Sequence, residues 1–213
     1  RWQVFGSITI GYALFYVLRL NFSVIKKPLM SMGILNAQQL GLMGSVFFIT
    51  YGIGKFTNSF LADRVNNKRF FAFGLLISSV ASTLMGFCNE FMPLVVLWGI
   101  NGWFQSFGAG PCIVALNQWF TNKERGTYYG IWFTSHNLGA AFTYLVTAVL
   151  VTSYSWQMGF IVPGVVCALG SLAIFFFMHD RPETNGLPNA EVYKGEVQPT
   201  AIKTDKTIAQ LQW

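Results

Sequence analysis

"GYALFYVLRLNFSVI", residues 11–25, holds fourteen uncharged side chains and one guanidinium, at Arg19. Its apolar run reads as part of a membrane-spanning helix, which needs about 20 such residues. The rest of the chain has the same character. Of 213 residues, 53% are hydrophobic, 10% are charged and 21 are Phe. An average soluble domain is roughly 25% charged, so this composition describes a polytopic membrane protein.

Working outward from residues 11–25, six apolar segments of spanning length can be drawn: 2–25, 40–62, 70–88, 91–117, 126–152 and 157–178. Backbone polar groups in lipid must be satisfied internally, by helices or by a closed barrel. These runs are continuous and lack the ten-residue alternation of barrel strands. The expected fold is therefore an all-α membrane bundle, residues 1–178. It is followed at 179–213 by a solvated cytoplasmic linker rich in Pro, Gly, Asn and acids. Arg1 enters the first span without a cleavable leader, and both ends of the chain read as cut.

Charge sets the expected orientation. Ten Lys and Arg residues fall on one side of the six spans and two, Lys26 and Lys27, on the other. Positive residues accumulate on the cytoplasmic face, which places both ends there. The net charge of +6 is then a matter of topology, with no call for nucleic acid. Cys88, Cys112 and Cys167 show no metal-ligand spacing. No catalytic constellation, metal site or cofactor motif is present, so no enzyme activity is expected.

Two cations remain inside spans, Arg19 and Lys55, while no acid is central in any span. A charge at a helix centre costs about 2.5–3.5 kcal/mol on insertion scales, so each is a functional hypothesis. Snorkelling to headgroups is the competing account. Against it, Tyr12, Tyr16 and Arg19 fall at i, i+4 and i+7, with Ser23 and Lys26 continuing the stripe. Tyr51 and Lys55 are also four apart and share a face. Such stripes can line a cavity, and a cavity with unpaired cations suits an anion. Arg offers a planar fork to phosphate or carboxylate oxygens, whereas Lys acts as a point charge.

His136, in "YYGIWFTSHNLGAAF", is the remaining in-span ionisable group and can donate to a phosphate oxygen. The alternative for it is a hydrogen-bonded packing role. "GWFQSFGAGPC", residues 102–112, carries the Gly and Pro interruptions found near transport sites. An internal echo at one constant offset aligns Gly41, Phe48 and Gly54 with Gly126, Phe133 and Gly139, and Tyr51 with His136. It fits a 3+3 repeat.

"SFLADRVNNKRFF", residues 59–71, resembles the G-x-L-a-D-R-x-G-R-K-x signature of the major facilitator superfamily. Asp63, Arg64, Lys68 and Arg69 match, and Ser59 and Asn66 replace glycines. "ERGTYYGIWFTSHNLGAA", residues 124–141, resembles the R-G-x5-W-N-x2-H-N-h-G-G signature of the organophosphate:phosphate antiporters of bacterial hexose-phosphate and glycerol-3-phosphate type. Arg125, Gly126, Trp132, His136, Asn137 and Gly139 match, while Phe133 replaces Asn and Ala140 replaces Gly.

The resemblance implies the N-terminal half of a twelve-helix carrier that exchanges a sugar phosphate for inorganic phosphate by alternating access. Hexose phosphate is the favoured substrate. A membrane sensor of external sugar phosphate and a glycerol-3-phosphate carrier are the alternatives. A proton-coupled symporter is disfavoured by the lack of an in-span carboxylate. On this resemblance the phosphate is held by Arg19 and by an arginine of the C-terminal half, with His136 nearby. Lys55 matches a second-helix lysine counted with the substrate-binding residues, and Tyr12, Tyr16 and Tyr51 line the same cavity. Asp63, Arg64, Lys68, Arg69 and Arg125 act structurally, in locking the cytoplasmic side. The implied partners are phosphate, an organic phosphate ester, the lipid bilayer of the cell membrane and a C-terminal six-helix half.

Overall fold

The computed structural model of the protein describes residues 1–62, 64–188 and 190–195, and Asp63 lies outside them. The described residues form helices α1 (Trp2–Ser31), α2 (Ala37–Ala62), α3 (Asn67–Met85), α4 (Phe91–Gln105), α5 (Ala109–Trp119), α6 (Asn122–Ser153) and α7 (Met158–Phe177). A 3₁₀ turn (Glu183–Asn185) and a short α8 (Ala190–Tyr193) follow. The all-α expectation holds.

Local chemistry explains the boundaries. α1 runs beyond the expected residue 25, so Lys26 and Lys27 sit on its last turns, and Gly33 takes the left-handed φ of 70° that turns the chain. Asn36 and Gln39 then cap α2 reciprocally. Gln39 N–H donates to Asn36 Oδ1 at 2.8 Å, and Asn36 N–H donates to Gln39 Oε1 at 2.9 Å. Asn66 caps α3 by accepting from Arg69 N–H at 3.0 Å.

The fourth expected span, 91–117, is two helices. Pro111 has no N–H to offer the carbonyl four residues back, and its ring would crowd that carbonyl. The helix therefore stops at Gln105 and restarts with Pro111 in the first turn of α5. Four helices, α1, α2, α3 and α7, are each long and apolar enough to cross a membrane. α6 is 32 residues long but falls outside that set, its apolar runs diluted by Thr, Ser, Tyr and His.

Packing follows the repeat suggested by the echo. α6 lies along α1, α2 along α4, α7 against α1, and α3 against both α4 and α7. Two echoed glycines make the seams close. A Cβ on Gly139 would meet the Ala13 carbonyl oxygen at 3.0 Å, and one on Gly54 would meet that of Trp103 at 3.2 Å. Small residues let membrane helices approach in this way.

Polar side chains tie the seams from inside. Asn58 Nδ2 donates to Ser106 Oγ at 2.6 Å, and Ser171 Oγ to the Ala72 carbonyl at 2.7 Å. Large apolar residues such as Phe56, Phe60 and Phe176 face outward instead. This arrangement suits a lipid-embedded bundle, in which van der Waals packing and interhelical hydrogen bonds hold helices together.

Candidate functional site

α1 carries the centre of the cluster, with α6 packed along it and Tyr51 of α2 reaching Arg19. Tyr12 and Tyr16 stand one turn apart with ring centroids 5.3 Å from each other. The His136 ring of α6 is 5.0 Å from Tyr16 and 6.5 Å from Tyr12. Trp132, one turn before His136, is buried against Tyr12 at 4.6 Å.

Arg19 meets aromatic rings rather than acids. Its guanidinium carbon lies 4.6 Å from the centroid of Tyr51, 5.5 Å from Phe47, 5.8 Å from Phe48 and 5.9 Å from Tyr16. No carboxylate among the described residues forms an ion pair with it. Each cation–π contact contributes about 0.5–2 kcal/mol, and a ring face holds the charge without neutralising it. Lys55, one turn beyond Tyr51 and exposed, brings its Nζ to 5.8 Å from that ring.

His136 is half-buried, and its Nδ1 has no hydrogen-bond partner among the described residues. Such an orphan in an interior asks for an explanation, and a ligand atom is one. Two amides brace the turn of α1 that carries Arg19. Asn101 Nδ2 donates to the Leu18 carbonyl at 3.2 Å, and Asn21 Nδ2 to that of Gly159 at 3.2 Å.

The structure thus links Arg19, Lys55, His136, Tyr12, Tyr16 and Tyr51 in one cluster of ring contacts. Sequence reasoning missed Phe47 and Phe48 in the ring cage, although they precede Tyr51 by four and three residues. It also missed the two asparagine braces, which no short-range pattern announces.

The residues matching the first signature lie elsewhere, at the end of the bundle where α3 and α6 begin. Asp63 is outside the described residues. Arg64 and Arg69 are exposed, and Lys68 Nζ sits 5.5 Å from the Phe175 ring. Arg125 donates to the carbonyls of Asn117 at 3.0 Å and Phe120 at 3.4 Å, capping the end of α5.

Two acids there were not singled out from the sequence. Asp180 Oδ1 accepts from Asn67 N–H at 2.7 Å, and its carbonyl accepts from Trp119 Nε1 at 2.9 Å. Burial pushes the Asp180 carboxyl up, against the opposing pull of the Asn67 N–H. Glu124 accepts from Lys194 and from Arg1, the latter at 3.1 Å. The Lys194 bond, helped by Arg1, holds its carboxyl below the ordinary value.

Residues 8–210 match the model of the Major Facilitator Superfamily. The chain belongs to that superfamily. It is a multi-pass membrane protein of a transporter family. Among its relatives, a probable hexose phosphate transport protein of Chlamydia trachomatis is 35% identical over 196 residues, 92% of this chain and 43% of that protein. A membrane sensor protein, UhpC, of Salmonella typhimurium is 35% identical over 88% of this chain and 42% of its own length. A glycerol-3-phosphate transporter of Haemophilus influenzae is 34% identical over 92% and 44%.

The chain therefore spans less than half the length of these curated relatives. A solved bacterial homolog of the human lysosomal transporter Spinster, inward-facing and occupied, superposes with a TM-score of 0.78 at 17% identity. It covers 84% of this chain and 44% of the solved one, and shows the shared fold.

Proposed function

We propose that this chain is the N-terminal half of a twelve-helix carrier that exchanges a sugar phosphate for inorganic phosphate across the cell membrane. Six crossings form this half, α4 and α5 together making the fourth, with both ends cytoplasmic and residues 179–213 linking to the second half. The observation that carries this reading is the guanidinium of Arg19, held among rings with Lys55 near the same Tyr51 ring. Among the described residues, no acid pairs with Arg19 and no partner meets His136 Nδ1.

In this mechanism the Arg19 fork takes two phosphate oxygens. Lys55 adds a mobile charge from α2, and His136 donates from α6. Tyr12, Tyr16 and Tyr51 supply hydroxyls along the walls. The second half completes the site, and the two halves rock about it so that it opens to one side at a time.

The test is exchange of labelled phosphate by the full-length protein in vesicles. Arg19→Ala should lower phosphate affinity about 10- to 150-fold, the range of a lost charge-assisted hydrogen bond. Arg19→Lys should recover only part of it, since the planar fork is gone. Full activity in Arg19→Ala would overturn the reading.

The sensor reading draws on the 35% identical relative named as a sensor. Binding of sugar phosphate without flux would favour it. A glycerol-3-phosphate carrier would instead prefer that acyclic ester over hexose phosphate.

A further inference from the structure

α6 presents two apolar flanks on either side of its buried seam. Leu138 and Phe142 border a groove toward α7, lined by Val162, Pro163 and Val166. Tyr129 and Phe133 lie on the other flank, beside His136. Phe133 is 51% exposed while its neighbour Trp132 is 2% exposed, so Phe133 is not part of the α1 seam. Its ring stands 4.4 Å from the imidazole of His136 at 69°, and nearly parallel to Tyr129 at 6.3 Å and 10°.

From cation to ring the side chains form a continuous wall of contacts. Arg19 to Tyr16, Tyr16 to His136 and His136 to Phe133 are steps of 5.9, 5.0 and 4.4 Å. One end of this wall carries positive charge and hydrogen-bond donors. The other end is an open phenyl face that can neither donate nor accept.

We propose that Phe133 selects the organic part of the substrate, as a platform for the C–H face of a pyranose ring whose phosphate sits at Arg19. The inference rests on the phosphate-site reading above. A pyranose carries its hydroxyls around a rim and its C–H groups on its faces. It can lay a face on Phe133 while the rim reaches His136, the tyrosines and water. A three-carbon polyol offers less C–H area, and its freely rotating chain must be frozen before it presents that area to a ring. It therefore gains less from a phenyl face than a rigid ring does. The site is thereby biased toward a cyclic sugar phosphate and against glycerol 3-phosphate.

The experiment measures how well glucose 6-phosphate and glycerol 3-phosphate displace labelled inorganic phosphate from the full-length protein. The unmodified protein should prefer glucose 6-phosphate. Phe133→Leu keeps apolar volume but loses the flat face, and should reduce that preference roughly three- to tenfold, a range typical of a lost aromatic contact. Phe133→Tyr keeps the face and should keep the preference. Both variants should still bind inorganic phosphate, which reports that they fold and lets the preference be read as a ratio.

An unchanged preference in a phosphate-binding Phe133→Leu overturns the role of Phe133 alone. So does a preference for glycerol 3-phosphate in the unmodified protein. Failure of the unmodified protein to bind phosphate overturns the phosphate site, and this inference with it.

Discussion

α2 and α6 are counterparts in the two halves of the bundle, and they differ in what they carry. Each packs on the first helix of the opposite half through an echoed glycine, Gly54 against α4 and Gly139 against α1. Each also points an echoed residue at the α1 stripe, Tyr51 to Arg19 and His136 to Tyr16. One turn on, symmetry ends: Lys55 on α2 corresponds to Ala140 on α6. Both in-span cations, Arg19 and Lys55, thus belong to the first half, while the second supplies a titratable ring and an exposed phenyl. A repeated scaffold solves the packing problem twice, and the chemistry is then distributed unevenly over it.

The packing half of that contrast can be broken with single methyl groups. A Cβ on Gly139 meets backbone atoms of Ala13 at 3.0 and 3.1 Å, which move only if α6 moves. Gly139→Ala should destabilise the full-length protein by about 1–3 kcal/mol, the usual cost of overpacking. Gly54→Ala should act in the same direction, because its first contact, Ser106 Oγ at 2.7 Å, is itself held by Asn58. Gly130, on α6 with nothing within 4 Å, is the control. Gly130→Ala should stabilise by about 0.5–1 kcal/mol through helix propensity. Thermal melts in detergent that rank the three otherwise would remove the close-seam account.

The chemical half can be sharpened by moving the lysine. Lys55 is exposed, so its loss is discounted for solvent screening to at most about 1 kcal/mol, or up to roughly fivefold in phosphate affinity. Lys55→Ala should show that loss. Adding Ala140→Lys places a cation one turn beyond His136, on the opposite wall, and should restore part of it. No recovery would mean that the α2 wall is needed for its position and not just its charge.

Much of this was legible in the sequence, for reasons that differ by residue. The tyrosine–arginine stripe on α1 follows from helical spacing alone, and the structure brings its members to one face. The seam glycines showed in the echo because close approach permits no side chain at either position. The break between α4 and α5 was written in Gly108, Gly110 and Pro111, yet 91–117 also satisfied the length rule for one span. Hydropathy counts side chains and is blind to a missing N–H. The braces from Asn21 and Asn101 and the cap from Asp180 were not legible, since each joins positions distant in sequence through a backbone group. A carbonyl or amide has no residue letter to announce it.

Asp180 and Glu124 provide the smallest and most specific expected effect, a pH response of opposite sign at two ends of the same surface. Burial raises the Asp180 carboxyl above its ordinary 3.8, so the fold holds that proton more tightly than the unfolded chain does. Its contribution is complete below 3.8 and is lost as pH rises through the folded value. Glu124 is lowered from 4.5, first by Lys194 and then by Arg1. Its contribution is present above 4.5 and lost as pH falls through the folded value. Raising the pH from about 4 to about 7 should therefore tighten the tie between α6 and α8 while loosening the cap on α3. Hydrogen exchange reads both at once, through the amides of residues 190–195 and of the first turn of α3. Glu124→Gln should flatten the first response and leave the second, and Asp180→Asn should do the reverse. If both regions instead change in the same direction, neither acid governs its own contact, and the two ties respond to the net charge of the surface they share.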